Sequence, residues 1–226
     1  MSFAERLAAI AARIAAARAR AGGHAVRLVA VSKKQPVAAI TAAIAAGVRD
    51  FGENYAQELD TKRAALPSPE LRWHAIGPIQ RNKVKLVVGT HLIHTVDRPE
   101  LLAAIEARAA ALSLVQDVLV QVNLVAEASK SGLAPADLPA LLDRFAATPH
   151  VRCRGLMLIP PIGDPAQTRT HFAALRELSV REAAHHRPNV ELAELSMGMS
   201  DDFEIAIEEG ATLVRVGTAL FGARVA

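Results

Sequence analysis

Apolar positions along the chain follow two spacings. Near the amino terminus Leu7, Ile10 and Ile14 recur at three- and four-residue intervals, with alanine at many positions between them, which predicts a helix. Gly22 and Gly23 end this helix. Beyond them, short apolar runs alternate with longer amphipathic segments. The pattern is therefore one helix followed by repeated strand–helix units.

Eight apolar runs have the length and composition of strands: 27–33, 48–52, 71–77, 91–96, 116–124, 151–159, 191–198 and 211–217. Strands separated by crossover helices imply a parallel sheet, and eight such units in about 200 residues reach the lower size limit of a closed (β/α)₈ barrel. A doubly wound open sheet is the alternative, but no G-x-G-x-x-G turn follows the first strand. We therefore predict an α/β fold, a TIM-type (β/α)₈ barrel. We expect one domain over residues 1–226, with an extra helix over 1–22 packed on it.

Composition narrows the class of protein. A hydrophobic fraction of 51% excludes disorder for most of the chain, and a net charge of +3 without basic clusters argues against nucleic-acid binding. No apolar run approaches the roughly 20 residues that span a bilayer, so we predict no membrane association. The single cysteine, Cys153, excludes an intrachain disulfide and a cysteine-rich zinc site. We predict a cytoplasmic protein with no metal.

The first candidate for chemistry is Lys33, which ends the first apolar run. Functional groups in such barrels lie at the carboxyl ends of the strands. Partial desolvation of a lysine there lowers its pKa, so more of its amine is unprotonated and able to form a Schiff base. A lysine paired with a carboxylate such as Glu53 is the alternative interpretation.

The loops after the last two strands are the second candidate. Ser196 to Ser200 and Gly217-Thr218 bring small residues to predicted helix starts, where backbone N–H groups and positive potential favour phosphate. The alternative is ordinary capping with Ser200 as the N-cap, and Asp201 and Asp202 would repel a phosphate that they faced. A phosphate site facing a lysine amine is the pair of features that pyridoxal phosphate requires.

Arg215 lies two residues before Gly217 and, by strand alternation, on the same side. An arginine that points into a small barrel needs a partner. The pyridine nitrogen of a cofactor is one candidate, and a structural ion pair is the other.

Seven stretches, in chain order, resemble the pyridoxal-phosphate homeostasis proteins, single-domain relatives of the alanine racemase barrel. They are 31–33 (VSK), 51–55 (FGENY), 73–78 (WHAIGP) with 80–83, 129–132 (SKSG), 154–157 (RGLM), 195–202 (LSMGMSDD) and 214–222 (VRVGTALFG).

The resemblance implies that Lys33 forms an aldimine with pyridoxal 5'-phosphate and that Arg215 faces the pyridine nitrogen. It also implies that the remaining site residues surround the phosphate or line the ring pocket. Those around the phosphate are Ser196, Ser200, Gly217 and Thr218, and those lining the ring pocket are Asn54, His74 and Met157. A monomer that buffers the cofactor or delivers it to apo-enzymes is the family expectation.

Three functions remain for such a site. The first is a non-catalytic protein of pyridoxal-phosphate homeostasis, and the second is a racemase or decarboxylase of the same barrel type. The third is a cofactor-free aldolase, which needs a polar network inside the barrel, whereas the strand interiors are expected to be almost wholly apolar. Enzymes of the second kind carry a β-rich second domain, whereas we expect only the barrel domain in this sequence. We therefore favour the first interpretation.

Overall fold

A computed structural model describes residues 1–125, 131–161 and 163–222. Eight parallel strands form a closed barrel in which each strand pairs with the next and the last pairs with the first. They are β1 (Arg27–Val31), β2 (Asp50–Glu53), β3 (Arg72–Ala75), β4 (Leu92–Val96), β5 (Gln116–Gln121), β6 (Val151–Met157), β7 (Val190–Ser196) and β8 (Leu213–Val216). Every one overlaps its predicted run, so the predicted barrel is confirmed.

Helices surround the barrel: α1 precedes the first strand, α9 follows the last, and the others connect consecutive strands. They are α1 (Phe3–Arg20), α2 (Val37–Ala45), α3 (Ala56–Ala65), α4 (Val84–Val87), α5 (Pro99–Ala111), α6 (Leu138–Asp143), α7 (Pro165–Ala183), α8 (Phe203–Glu208) and α9 (Thr218–Phe221). Short 3₁₀ turns flank α4 and α6. Among the described residues, the helices lack a segment with the length and hydropathy needed to cross a lipid bilayer.

The extra helix at the amino terminus has a complete capping box. Ser2 Oγ accepts a hydrogen bond from the Glu5 N–H, and the Glu5 carboxylate accepts one from the Ser2 N–H. The buried face of α1, with Ile10 and Ile14, packs against the barrel side at α8 and α9. The predicted helix is thus present as an addition to the eight strand–helix units.

Alternation along the strands separates two apolar clusters. Outward side chains such as Ala30, Phe51 and Ile93 pack against the surrounding helices in the large core. Inward side chains form a second, smaller cluster, which consists of Val29, Leu92, Leu119, Met157 and Leu213.

The interior of the barrel is more polar than the sequence predicted. Five buried polar side chains, each from a different strand, lie inside it, and each is within hydrogen-bonding distance of the next: Asp50, His74, His94, Ser196 and Arg215. The expectation of almost wholly apolar strand interiors is therefore wrong. Each of these residues is isolated in its own apolar run, and only barrel closure brings the five together.

Candidate functional site

A cavity of about 340 Å³ opens at the carboxyl ends of the strands. Such positions carry the functional groups of this fold. Six of the nine predicted site residues line it: Lys33, Asn54, Ser200, Arg215, Gly217 and Thr218. The other lining residues are Val31, Gln35, Ile76, Ile159, Met199, Asp201 and Gly222.

Lys33 lies in the turn that follows β1 and is half-buried. Backbone contacts on both sides hold this turn. The Gln35 N–H donates to the Ser32 carbonyl at 3.0 Å, and the Lys34 N–H donates to Glu58 Oε1 at 2.6 Å. Lys34 has a φ of 60°, a left-handed conformation that a non-glycine residue adopts at an energetic cost. The backbone that presents Lys33 is thus fixed by its surroundings.

Glu53, the carboxylate that the sequence offered as a partner for Lys33, binds another lysine. Lys62 Nζ lies 2.7 Å from Glu53 Oε1 and also donates to the Ser32 carbonyl at 2.7 Å. The Ser32 hydroxyl donates to the same Glu53 oxygen at 2.6 Å. Burial raises the pKa of Glu53 against the opposing effect of Lys62. A buried ion pair between β2 and α3 therefore supports the Lys33 turn from beneath.

Arg215 lies at the base of the cavity, with 3% of its surface exposed. Its Nη1 donates to Ser196 Oγ at 2.7 Å and its Nη2 donates to the Leu158 carbonyl at 3.0 Å. Burial lowers the pKa of Arg215 to about 10, opposed by the negative charge of Asp202. The guanidinium therefore remains cationic at neutral pH.

The loop after β7 approaches the cavity with a left-handed glycine, Gly198, at φ 90°. Asp202 Oδ1 accepts from the Met199 N–H at 2.6 Å, so this carboxylate caps its own loop. Asp202 occupies the N-cap position of α8, and the capping interpretation that placed Ser200 there is wrong. Ser200 Oγ instead accepts from the Ala219 N–H at 3.5 Å, across to the loop after β8.

Three predicted site residues lie in the barrel interior and are absent from the cavity lining: Ser196, His74 and Met157. Ser196 Oγ contacts both Arg215 and His94, while Met157 belongs to the interior apolar cluster. His74 lies deeper, between His94 and Asp50. These three residues therefore lie deeper in the barrel than the cavity, and Ser196 contacts Arg215 directly.

Asp50, His74 and His91 form a group whose potential metal-ligand atoms lie within 4.8 Å of one another. Both oxygens of Asp50, however, accept hydrogen bonds from the guanidinium of Arg72, at 2.7 and 2.6 Å. Because a cation already neutralises this carboxylate, the group carries no assignment as a metal site.

Two groups of residues in and beneath the cavity were not predicted from the sequence. Gln35 lies four positions after the end of β1 and Ile76 directly follows β3, and this position just past a strand end is the signal that points to such cavity residues. Asp50 and His94 are polar positions inside apolar runs, which marks them as candidates for an inward-facing network. Lys130, which belongs to the resembling stretch 129–132, lies outside the described residues.

A family model described as the N-terminal domain of alanine racemase matches residues 6–225. The match covers almost the whole chain and agrees with the closed barrel and its carboxyl-end cavity. Fold and site together define a protein of the alanine racemase N-terminal domain class.

Relatives of similar length identify the family within this class. A pyridoxal phosphate homeostasis protein of Pseudomonas aeruginosa is 50% identical over 229 residues, which cover 99% of this chain and 96% of the relative. One from Aquifex aeolicus is 44% identical and covers 99% of both chains. The structure of PipY from Synechococcus elongatus with PLP bound has a TM-score of 0.87 and 40% identity, covering 98% of this chain and 100% of that chain. The chain belongs to the family of pyridoxal phosphate homeostasis proteins.

Proposed function

We propose that this chain binds pyridoxal 5'-phosphate in the cavity at the strand ends, as a Schiff base with Lys33, and takes part in the intracellular homeostasis of that cofactor. Formation of the link is a condensation in which the Lys33 amine attacks the cofactor aldehyde and one water leaves. The observation that carries the proposal is the presence of Lys33 and the buried cation Arg215 in the lining of one cavity.

The size and lining of the cavity fit the cofactor. Its volume of about 340 Å³ lies within the usual range of roughly 300–1,000 Å³ for small-molecule sites. Gly217 allows the loop after β8 to lie close to β1 in the cavity wall, because a Cβ there would lie 3.3 Å from the Cβ of Val31. Ser200, Gly217 and Thr218 offer hydroxyl and backbone groups for the phosphate, and the Asp202 carboxylate is engaged by the Met199 N–H.

The remaining predicted residues divide by depth. We assign Asn54 to the wall of the ring pocket, since it lines the cavity. We assign Ser196, His74 and Met157 to the layer beneath it, where they support Arg215 and close the barrel interior. In this arrangement the Arg215 guanidinium faces the pyridine nitrogen from the base of the cavity.

We further propose that the chain is not an enzyme of amino-acid metabolism. Pyridoxal phosphate supplies an electrophilic aldehyde and an electron-withdrawing ring when bound. Arginine has no acceptor and keeps its protons, so a pyridine nitrogen that accepts from Arg215 stays unprotonated and the ring is a weak electron sink. Racemisation also needs a second base opposite Lys33. The only tyrosine, Tyr55, is 52% exposed and does not line the cavity.

The test is the absorption spectrum of the full chain with pyridoxal phosphate, followed by borohydride reduction and peptide mapping. We expect a visible band in the wild type, a reduced adduct on Lys33, and loss of both in Lys33→Ala. Lys34→Ala is the matched control, because it removes the neighbouring exposed lysine and should keep the band. An adduct that maps to Lys34, Lys83 or Lys130 in the wild type would overturn the assignment.

Delivery to apo-enzymes, a monomeric state and a cytoplasmic location accompany this proposal as predictions. Transfer is measured by mixing the loaded chain with an apo-enzyme that requires pyridoxal phosphate and following its activation. Faster activation than with an equal concentration of free cofactor is the expected result.

A further inference from the structure

Side chains from five strands form one continuous hydrogen-bonded chain through the barrel. Arg215 Nη1 lies 2.7 Å from Ser196 Oγ, and this hydroxyl lies 2.8 Å from His94 Nδ1. His94 Nε2 lies 2.9 Å from His74 Nδ1, and His74 Nε2 lies 3.1 Å from Asp50 Oδ1. The chain therefore connects the cavity base with β2, and Arg72 binds the carboxylate at its far end.

The two ends of this chain determine the direction of every hydrogen bond in it. An ionised carboxylate only accepts, so His74 Nε2 carries a proton and donates it to Asp50. In a neutral ring His74 Nδ1 must then accept, which requires His94 Nε2 to donate and His94 Nδ1 to accept. The Ser196 hydroxyl donates to His94 Nδ1, while its oxygen accepts from Arg215. All donors thus point from Arg215 toward Asp50.

Burial favours the neutral form of both imidazole rings, which this direction requires. His74 and His94 have no exposed surface, and desolvation is the main cause that lowers the pKa of each. Asp50 remains ionised, because hydrogen bonds from Arg72 and His74 lower its pKa against the effect of burial. The chain therefore joins a cation and an anion through three neutral groups whose dipoles share one orientation.

We infer that His94 and His74 are positioning residues that couple Asp50 to Arg215 and fix the guanidinium at the base of the cavity. The inference rests on the proposed function, since it concerns how Arg215 meets the pyridine nitrogen. Two N–H groups of Arg215 donate below the cavity, one to Ser196 and one to the Leu158 carbonyl. The plane of the guanidinium is fixed by these two contacts, and its remaining donors are directed by that plane.

The first test uses the full chain without cofactor, so it does not depend on the proposed function. Nitrogen-15 NMR of histidine-labelled protein, with His74 and His94 assigned through variants, reports the tautomer of each ring. At neutral pH both rings are expected as the neutral form with the proton on Nε2. An imidazolium, or a proton on Nδ1 in either ring, would overturn the directed chain.

The second test separates positioning from packing. His91 and His94 both place their ring centroids 5.2 Å from that of His74, but only His94 lies in the chain from Arg215 to Asp50. His94→Gln breaks the contact with Ser196, and His91→Gln is the matched control. We expect His94→Gln to raise the dissociation constant for pyridoxal phosphate at least about tenfold. The pH titration of the bound cofactor's absorption should also shift. His91→Gln should stay within about twofold of the wild type, as surface changes do.

Asp50→Asn, combined with His94→Gln, decides between a coupled chain and independent packing effects. Residues of one network are non-additive, so the double variant should bind the cofactor no more weakly than His94→Gln alone. Additive losses, or equal losses in His91→Gln and His94→Gln, would overturn the inference while leaving Lys33 as the attachment site. If the wild type forms no borohydride adduct on Lys33, the proposed function fails, and the NMR result still decides whether the directed chain exists.

Discussion

Lys62 lies 2.7 Å from Glu53, and both side chains are buried, with residue exposures of 5% and 1%. The same ammonium donates to the carbonyl of Ser32, the residue before Lys33. An ion pair between β2 and α3 therefore contacts the backbone turn that presents the proposed attachment lysine. Stability and cofactor binding are expected to depend on it together.

Lys62→Met leaves the Glu53 carboxylate buried without its cation. Breaking a buried ion pair in this way costs about 3–5 kcal/mol of unfolding free energy. Urea denaturation measures it, and adding Glu53→Gln, which removes the uncompensated charge, should restore part of the loss. Arg20→Gln is the control, since it breaks an exposed pair of equal length, 2.7 Å to Glu208, and should cost less than about 1 kcal/mol. Equal losses in Lys62→Met and Arg20→Gln would contradict this account.

The stability of the chain should fall as the pH drops below about 6.5, the pKa of histidine in an unfolded chain. Burial lowers the pKa of His74 and His94 in the folded state, so at these pH values the unfolded chain binds protons that the folded chain excludes. Each histidine contributes a slope of up to about 1.4 kcal/mol per pH unit below that pKa, and none above it.

Urea denaturation between pH 7.5 and 5 measures this slope. Glu53, whose pKa is raised by burial, contributes a slope of opposite sign in the acidic range, so the informative quantity is the difference between variants. His94→Gln should be less pH-sensitive than the wild type, because one excluded proton is removed. Parallel curves for the two proteins would show that His94 is protonated equally in both states.

Gly198→Ala should destabilise the loop after β7 more than backbone strain alone explains. Gly198 and Gly47 have similar left-handed φ values, 90° and 96°. A Cβ on Gly198 would lie 2.5 Å from the Cβ of Ala206, whereas a Cβ on Gly47 would meet nothing within 4 Å. Gly47→Ala therefore reports the strain, on the order of 1 kcal/mol, and Gly198→Ala should lose a further 1–3 kcal/mol, roughly, from overpacking. Equal melting temperatures for the two variants would refute the contact.

Exchange at the α-carbon tests the absence of catalysis. The loaded chain is incubated in deuterated water with a panel of L- and D-amino acids, and deuterium incorporation is followed by mass spectrometry. The expected rate lies below the ordinary enzyme range of about 1–10³ s⁻¹, because in the proposed binding mode the ring nitrogen faces Arg215, and Tyr55 lies outside the cavity lining. A rate within that range would restore the racemase interpretation.

Much of the architecture and part of the site follow from local sequence. The period of the apolar positions gives the eight strands, and the position of Lys33, Gly217 and Thr218 just past strand ends predicts their place in the cavity. These features are local, since strand alternation and strand length are encoded within a few residues. The resemblance of the same segments to a known family then assigns them a cofactor.

The interior network was decided by the closed barrel. His94 and Ser196 are 102 residues apart and Lys62 reaches Ser32 across 30, so no local pattern marks either contact. Closure of β8 onto β1 places one polar side chain from each of five strands inside the barrel, where all five are buried. A buried polar group without a hydrogen-bond partner costs more free energy than a hydrogen bond contributes. These five groups therefore hydrogen-bond to one another. The sequence by itself determines which residues point inward, and the tertiary structure decides that they form a single chain ending at Arg215.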